Sequence, residues 1–243
     1  MKVLVNILNF NLPEYTDVVY ECLEPYKNDL YDIMVMDNGS TEEGKSKYTT
    51  HETGQNVYFG GGLNIAFQYM LDNKEYDYLL FLNNDIVFHG QKFVQSLVRV
   101  AEEGNTIVSP CIIHPEQEQN YWPVMHNWGM KNPRTVKWVD FTSPLIHRRL
   151  IEEIKQFDDG LMPGFGYDNY CAMVCEDMGW KISICDFIPI VHLNYMTLKL
   201  KRGDISGDEY HRWASNSMFT YYDKIGEVER LHEQRNYAKN YKI

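Results

Sequence analysis

Three polar residues, Asn83, Asn84 and Asp85, directly follow the apolar run Tyr78–Leu82. The run predicts a buried strand, and ligands of open parallel sheets bind beyond the carboxyl ends of the strands. Asp85 offers the hard carboxylate oxygen that Mg²⁺ and Mn²⁺ prefer when they are held against phosphates. Asn and Asp are also common turn formers, so this segment alone fits a turn as well as a binding site.

Polar residues also follow three other predicted strands, which strengthens the interpretation of a site at the strand ends. They are Asn9 and Asn11 after residues 3–8, Asp37 and Asn38 after residues 32–36, and His192 after residues 182–191. A lone histidine is more often structural than a ligand, but His192 again occupies a strand end.

A glycine-rich segment runs from Phe59 to Asn64 and includes Gly60, Gly61 and Gly62. It lies between a predicted third strand, Asn56–Tyr58, and a predicted helix. Backbone N–H groups at such a helix start can bind a phosphate. Close steric packing is the alternative, because the segment is not a G-x-G-x-x-G fingerprint followed by an acid at the right distance.

Asp168 begins another predicted helix, after the loop Gly164-Phe165-Gly166. Its carboxylate is either a structural N-cap, which is common, or a functional group in a loop-shaped pocket. Cys171 and Cys175 lie on the apolar face of this helix, so we expect them in the core rather than in a metal site.

The remaining pattern alternates strands with helices. Residues 114–137 have no clear period and predict a long loop, a lid or an acceptor wall. Residues 138–146 predict a strand, and two helices follow position 195, the first amphipathic and the second polar.

The formal net charge of −11 over 243 residues argues against a general nucleic-acid scaffold. A local basic patch stays possible, formed by Lys131, Arg134, Lys137, Arg148, Arg149, Lys199, Lys201 and Arg202. The five cysteines fit neither a disulfide framework nor a paired zinc motif. Without a signal peptide or an apolar run of membrane-spanning length, we expect a soluble cytoplasmic protein.

Four blocks in order resemble the family 2 glycosyltransferases, in particular their rhamnosyltransferase-like branch, from Val3 to about His192. The blocks are Asp37-Asn38-Gly39-Ser40, the segment from Asn56 to Asn64, Leu82-Asn83-Asn84-Asp85, and the stretch from Tyr167-Asp168 to Gly179-Trp180. The sequence departs from the family pattern at Asn83 and Tyr167, where the family has acids, and also at Tyr170, Cys171 and Val174.

The resemblance implies an α/β protein with the A-type glycosyltransferase fold, a Rossmann-like mixed sheet flanked by helices, with a helical C-terminal extension. It implies a nucleotide-diphosphate sugar donor and Mn²⁺ or Mg²⁺. Asp85 and His192 would lie at the metal, and Asp168 would be the general base. The implied donor-binding residues are Asn9, Asn11, Asp37, Asn38, Asn56, Gly61, Gly62, Asn64, Asn83 and Asn84.

The same resemblance divides the chain into a transferase domain, residues 1–194, and a helical extension, residues 195–243. Residues 1–113 would form the donor-binding half of the domain and residues 114–194 the acceptor side. The acceptor stays open among a saccharide, a lipid-linked glycan, a protein and a modified nucleic-acid base.

One base and one metal suffice for a single displacement, so we expect inversion at the anomeric carbon. The paired carboxylates of glycoside hydrolysis fit less well. The alternatives are a sugar nucleotidyltransferase, which would release pyrophosphate, and a non-catalytic binder of nucleotide sugars.

Overall fold

One mixed sheet organises the protein. The computed structural model describes residues 1–113, 122–193, 196–200 and 205–243. Nine strands occur within these ranges, in the order β3-β2-β1-β4-β8-β6-β9-β5, and β7 pairs with β9. The strands are β1 Val3–Asn9, β2 Tyr31–Asp37, β3 His51–Glu52, β4 Tyr78–Asn83, β5 Ile86–Val87, β6 Asn105–Ile113, β7 Arg134–Val136, β8 Leu145–His147 and β9 Lys181–His192.

The parallel half of the sheet brings the polar strand ends to one edge. β1 pairs in parallel with β2 and with β4, and Asn9 lies opposite Asp37 while Leu8 lies opposite Asn83. Because the carboxyl ends of these strands are in register, the residues that follow them share one surface.

The antiparallel half adds His192 to the same edge. β8 runs antiparallel to both β4 and β6, and β9 runs parallel to β6. β5 pairs antiparallel with the end of β9, with Ile86 opposite His192. Asp85 immediately precedes Ile86, so this pairing places Asp85 beside His192.

Helices cover the sheet and pack their apolar residues into one core. They are α1 Pro13–Leu23, α2 Tyr58–Asp72, α3 Phe93–Ala101, α4 Arg148–Ile154, α5 Tyr167–Asp177, α6 Met196–Lys199, α7 Gly207–Lys224 and α8 Val228–Lys239. Pro13 begins α1, where its missing N–H is not needed. Ser206 and Glu209 form a capping box at the start of α7. Cys171 and Cys175 are both fully buried, as predicted.

The two long C-terminal helices are seated on α5. The Tyr222 hydroxyl of α7 donates to the Gly166 carbonyl at 2.6 Å. The side-chain amides of Asn169 in α5 and Gln234 in α8 are hydrogen-bonded at 3.1 Å. Met218 and Leu231 from these helices belong to the same hydrophobic core as the sheet.

Three predicted elements differ from the structure. The third strand is His51–Glu52, and the segment predicted as a strand at Asn56–Tyr58 instead leads into α2. Of residues 138–146 only the end is strand, because Pro144 lacks the N–H that a continuous ladder needs.

The third difference concerns the predicted loop of residues 114–137. This segment contains β7 and a short 3₁₀ turn, Pro123–Met125, and its residues 114–121 lie outside the described ranges. Within the part of the chain that the structure describes, no helix has the length and apolar character needed to cross a membrane.

Candidate active site

A cavity of about 490 Å³ opens at the carboxyl edge of the parallel strands. Its wall includes these predicted site residues: Asn38, Asn56, Asn83, Asn84, Asp85, Asp168 and His192. Seven of the predicted site residues therefore line one cavity. The other six predicted residues, Asn9, Asn11, Asp37, Gly61, Gly62 and Asn64, are not among the residues that form this wall.

Asp85 and His192 form a buried pair on this wall. Asp85 Oδ1 lies 3.2 Å from His192 Nε2, and Asp85 Oδ2 accepts from the backbone N–H of Met196 at 3.3 Å. Burial disfavours the charge on each residue, but their hydrogen bond and mutual attraction outweigh it. The pKa of Asp85 is therefore lowered and the pKa of His192 is raised.

The pair suits a divalent cation that is shared with a phosphate ligand. A carboxylate oxygen and an imidazole nitrogen lie 3.2 Å apart, and both are ligand types that divalent cations accept. Among the described residues no group of three His, Cys, Asp or Glu side chains is placed to hold a metal. A cation here would complete its coordination with oxygens from a bound ligand, as Mg²⁺ often does with substrate phosphates.

Asn84 and Asn83 have different surroundings. The Asn84 side chain is buried and donates to the Thr16 hydroxyl at 3.0 Å, and that hydroxyl in turn donates to Asn9 Oδ1 at 2.8 Å. Asn83 Nδ2 lies 3.5 Å from His192 Nε2. Asn83 therefore contacts the Asp85–His192 pair directly, whereas Asn84 ties the end of β4 to α1.

Asp37 and Asn9 lie behind the wall and support it. Both side chains are buried, at 1% and 0% exposed. Asn9 Nδ2 donates to Asp37 Oδ1 at 2.9 Å, and the other Asp37 oxygen accepts from the backbone N–H of Ser40 at 3.0 Å. Asn11 Oδ1 accepts from the backbone N–H of Thr41 at 2.9 Å. Their donor-binding roles stay predictions, and in this geometry they hold the loop after β2.

Asn38 and Asn56 organise the start of α2. Asn38 Nδ2 donates to Asn56 Oδ1 and to the Tyr58 carbonyl, both at 3.2 Å, while Asn38 Oδ1 accepts from the Val57 N–H at 3.0 Å. Tyr58 has a left-handed backbone, φ 57°, which is uncommon for an aromatic residue. Its ring meets Trp213 of α7 edge to face at 4.7 Å, and Tyr58 itself lies on the cavity wall.

The glycine-rich segment is packed inside the core. A Cβ atom at Gly60 would lie 2.7 Å from the Leu161 carbonyl oxygen, and one at Gly62 would lie 2.9 Å from the Leu8 side chain. The Gly61 N–H bonds to the Val57 carbonyl at 3.2 Å. This packing supports the steric interpretation, and the donor-binding prediction for Gly61 and Gly62 gains nothing from it.

Asn64 is engaged in a similar way away from the wall. Its side chain bonds both to the N–H and to the carbonyl of Phe157, at 2.8 and 3.1 Å. The amide therefore fastens α2 to the loop that leads to α5, and its donor-binding role stays a prediction.

Asp168 lies in the first turn of α5, with Gly166 rather than Asp168 at the N-cap position. The N-cap interpretation of Asp168 is therefore wrong. The cap residue, Gly166, has a left-handed backbone with a φ of 96°. Asp168 Oδ1 accepts from the backbone N–H of Asn169 at 2.8 Å. Burial and the neighbouring Asp140 carboxylate raise the pKa of Asp168 to about 7.

Tyr167 replaces the first acid of the family pattern with a structural side chain. It is 4% exposed, its ring stacks on Phe59 with centroids 5.1 Å apart, and its hydroxyl donates to the Gly164 carbonyl at 2.7 Å. The side chain thus fixes the loop before Asp168.

Several residues on the wall were not predicted. They are Tyr58, Trp122, Trp138, Asp140, Tyr210, His211 and Arg235. Asp140 lies where residues 138–146 were predicted as a strand, and the turn composition of Thr142-Ser143-Pro144 was the available signal. Arg235 comes from a helix with no distinctive pattern, so only the tertiary packing reveals it.

Three of the four arginines of the predicted basic patch do not contribute to such a patch. Arg134 is buried against Asp186 at 2.9 Å. Arg148 bonds to the Tyr76 carbonyl and Arg149 to the Gly104 carbonyl, at 2.6 and 3.1 Å, near the amino ends of β4 and β6. The prediction is wrong for these residues, and Lys201 and Arg202 lie outside the described residues.

Solved structures with the same architecture include a mannosyltransferase. S. aureus TarS 1–349 superposes with a TM-score of 0.58 at 12% identity over 99% of this chain and 81% of its own. GalNAc-T7 with UDP, GalNAc and Mn²⁺ gives 0.62 at 14%, over 97% and 55%. Mannosyltransferase PcManGT from Pyrobaculum calidifontis with GDP-Man and Mn²⁺ gives 0.55 at 13%, over 100% and 76%. The fold is therefore the A-type glycosyltransferase fold, as predicted.

The sequence places the chain within one family of these enzymes. The model of glycosyl transferase family 2 matches residues 7–153, more than half of the 243. The chain belongs to this family and is a glycosyltransferase. No curated protein sequence matches it. Asp168 and His192 lie beyond the matched residues, so the structure carries the argument for them.

Proposed function

We propose that this protein is a metal-dependent, inverting glycosyltransferase that moves a sugar from a nucleotide-diphosphate sugar to an acceptor hydroxyl. The observation that carries the proposal is one cavity that joins the Asp85–His192 pair to the Asp168 carboxylate. A site for the diphosphate and a base for the acceptor are the two elements that a single displacement requires.

The donor side follows from the strand ends. Asn38 and Asn56 fix the segment that begins α2 beside the end of β2, so we place the nucleoside of the donor against that segment. The diphosphate then lies toward Asp85 and His192. GalNAc-T7, PcManGT and TarS have been crystallised with UDP, GDP-Man and UDP-GlcNAc respectively, which supports a nucleotide-sugar donor here.

A divalent cation held by Asp85 and His192 would neutralise charge that develops on the leaving diphosphate. Mn²⁺ or Mg²⁺ fits, and the GalNAc-T7 and PcManGT structures contain Mn²⁺. Asn83 beside the pair replaces a carboxylate of the family pattern, so the protein offers one acid rather than two at this position.

Asp168 acts on the acceptor. Its Oδ1 is occupied by the Asn169 N–H, and its Oδ2 is the atom that takes the proton. As the acceptor oxygen bonds to the anomeric carbon, its proton passes to Asp168 Oδ2, and the bond from that carbon to the diphosphate oxygen breaks. The nucleoside diphosphate leaves from the opposite face, so the anomeric configuration inverts.

The test combines donor identification with one substitution. A thermal-shift screen of nucleotide sugars with Mn²⁺ identifies the donor, because a ligand that binds only the folded state raises the melting temperature. With that donor, Asp168→Asn should still bind, while the rate of transfer should fall about a hundredfold to ten-thousandfold through loss of the general base.

The products and the metal decide between the alternatives. Release of nucleoside diphosphate, inhibited by EDTA and restored by Mn²⁺, is expected. Pyrophosphate release would instead identify a nucleotidyltransferase, and donor binding without any release would identify a binding protein. Transfer that survives Asp168→Asn within a few-fold would remove Asp168 from the mechanism.

A further inference from the structure

Asp140 is a second carboxylate on the acceptor side of the cavity. It lies on the same wall as Asp168 and close enough that its charge acts on that residue. Thr142 Oγ1 donates to Asp140 Oδ1 at 2.5 Å. Among the described residues Asp140 Oδ2 has no hydrogen-bond donor, so this oxygen is available to a ligand in the cavity.

Arg235 supplies the complementary donors. Its guanidinium lies 5.0 Å from the centre of the Trp122 ring, and Nη1 lies 3.8 Å from Met218 Sδ, a weak acceptor. Within the described ranges it has no carboxylate or carbonyl partner. A guanidinium has five N–H donors, so a partly buried one without oxygen partners is suited to a ligand that brings oxygens.

The docking of α8 on α5 fixes Arg235 beside Asp168. Asn169 follows Asp168, Gln234 precedes Arg235, and the two amides are hydrogen-bonded at 3.1 Å. The charge of Arg235 accordingly stabilises the Asp168 carboxylate. The two charged groups therefore face the cavity as neighbours.

We propose that Asp140 and Arg235 bind the acceptor on either side of Asp168, and that the acceptor is a saccharide with at least three hydroxyl groups in reach. The proposal rests on the proposed function. A hydroxyl group both donates and accepts, so one hydroxyl satisfies the free oxygen of Asp140 and another satisfies the N–H groups of Arg235. The third, held by Asp168 Oδ2, is the nucleophile.

The aromatic residues and the charges favour a sugar ring over a nucleic acid. Trp122 and Trp138 meet edge to face at 5.3 Å beside this group, and aromatic side chains offer apolar surface to the C–H face of a ring. Nucleic-acid binding needs basic residues for the phosphates. The arginines that could have formed a basic surface, Arg134 and Arg148, are used inside the fold instead.

A third metal ligand is the competing role for Asp140, and the geometry disfavours it. Across the described part of the chain no third His, Cys, Asp or Glu side chain joins Asp85 and His192 in a metal-binding group. Asp140 Oδ1 is also already bonded to the Thr142 hydroxyl. We therefore assign Asp140 to the acceptor side.

The experiment measures transfer from the identified donor to methyl glycosides of glucose, galactose, mannose and N-acetylglucosamine. A serine-containing peptide and an oligonucleotide with a hydroxymethylated base are the competing acceptors. Asp140→Asn and Arg235→Gln should each raise the KM of the glycoside about tenfold or more, the loss of a charge-assisted hydrogen bond. The KM of the donor should stay within about twofold, since the proposal places both residues on the acceptor side.

The matched controls are Asp223→Asn and Arg212→Gln, two exposed residues of α7 away from the cavity wall. Both should behave as the parent protein. Assays at pH 8.5 lie above the pKa of Asp168, which is about 7, so a modest shift of that pKa does not imitate a binding effect.

Three results would overturn the inference. The first is transfer to the peptide or the oligonucleotide but to none of the glycosides. The second is a glycoside KM that is unchanged in both variants. The third is an increase that is confined to the KM of the donor. In each of these cases nucleoside diphosphate is still released, so the proposed function survives. Absence of release with every acceptor and with water is the separate result that refutes the proposed function as well.

Discussion

At the scale of single residues, the site combines carboxylates with opposite electrostatic behaviour. Asp85 is stabilised as an anion by His192, whereas Asp168 is pushed toward its neutral form by burial and by Asp140. A general base works best when its pKa lies near the working pH, and the pKa of Asp168 is about 7. The environment of each acid thus matches the role that we propose for it.

The pH dependence of transfer should report Asp168. Only its ionised form accepts a proton, so kcat/KM should rise about tenfold per pH unit below pH 7 and level off above it. Asp140→Asn removes a negative neighbour and should move this rising limb of the pH profile to lower pH. Arg235→Gln removes a positive neighbour and should move it to higher pH. Steady-state rates between pH 5 and 9 measure both shifts.

Two buried neighbours of Asp168, a thiol and a phenol, lose their protons only above this range. The pKa of Cys171, on the same helix, is raised well above its usual value by burial, and so is the pKa of Tyr222 from α7. A limb that stays in place in both variants would mean that Asp168 does not control the profile.

At the scale of elements, a buried ion pair holds the segment that carries Trp122 and Trp128 against the sheet. Asp186 of β9 accepts from Arg134 Nε at 2.9 Å and from the backbone N–H groups of Trp128 and Met130 at 2.9 and 3.1 Å. Arg134 Nη2 also donates to the Val124 carbonyl at 3.0 Å. The pair therefore fixes the segment from Trp122 to Arg134 against β9, which lies far away in the sequence.

Asp186→Ala should lower the free energy of unfolding by about 3–5 kcal/mol, because it leaves the Arg134 charge buried without a partner. Urea denaturation followed by circular dichroism measures the change. Glu42→Ala, which removes an exposed partner of Lys45, is the control and should leave the midpoint unchanged. Equal effects of the two substitutions would show that the Arg134–Asp186 pair does not hold this segment.

The strands and the loop differ in how far the sequence predicts them. The strand ends were predictable because an apolar run followed by Asp or Asn fixes both a strand and its exit, as at Asp85 and Asp37. Asp140 and Arg235 were not, because their place in the cavity depends on contacts between distant segments. The loop that carries Trp122 was recognised only as irregular, since its order comes from Asp186, which is 52 residues beyond Arg134.

At the scale of the whole molecule, the cavity is assembled from the entire chain. The family model ends at residue 153, but Asp168, His192, Tyr210 and Arg235 all lie after it and all form the wall. The predicted extension, residues 195–243, is helical in α7 and α8 and shares the core of the preceding residues. Acceptor-side chemistry therefore depends on how these helices are seated on α5.

A substitution at Gly166 tests how α7 packs against the start of α5. Its φ is 96°, and a Cβ there would lie 2.8 Å from Met218 Cγ and 3.1 Å from Tyr222 Cε2, both on α7. Gly179 also has a left-handed backbone, φ 67°, but a Cβ there meets nothing within 4 Å. Alanine at Gly179 adds only backbone strain, of about 1–2 kcal/mol. Alanine at Gly166 adds overpacking as well, a further ~1–3 kcal/mol.

We therefore expect Gly166→Ala to be the less stable variant in urea denaturation. It should also lower the rate of transfer at a temperature where both variants are folded, because it displaces the start of α5 two residues before Asp168. Gly179→Ala, at the far end of that helix, should keep the parent rate. If the two alanine variants lose equal stability and transfer at equal rates, then α7 does not pack on the start of α5 as the structure has it. The acceptor side would then have to be built without the C-terminal helices.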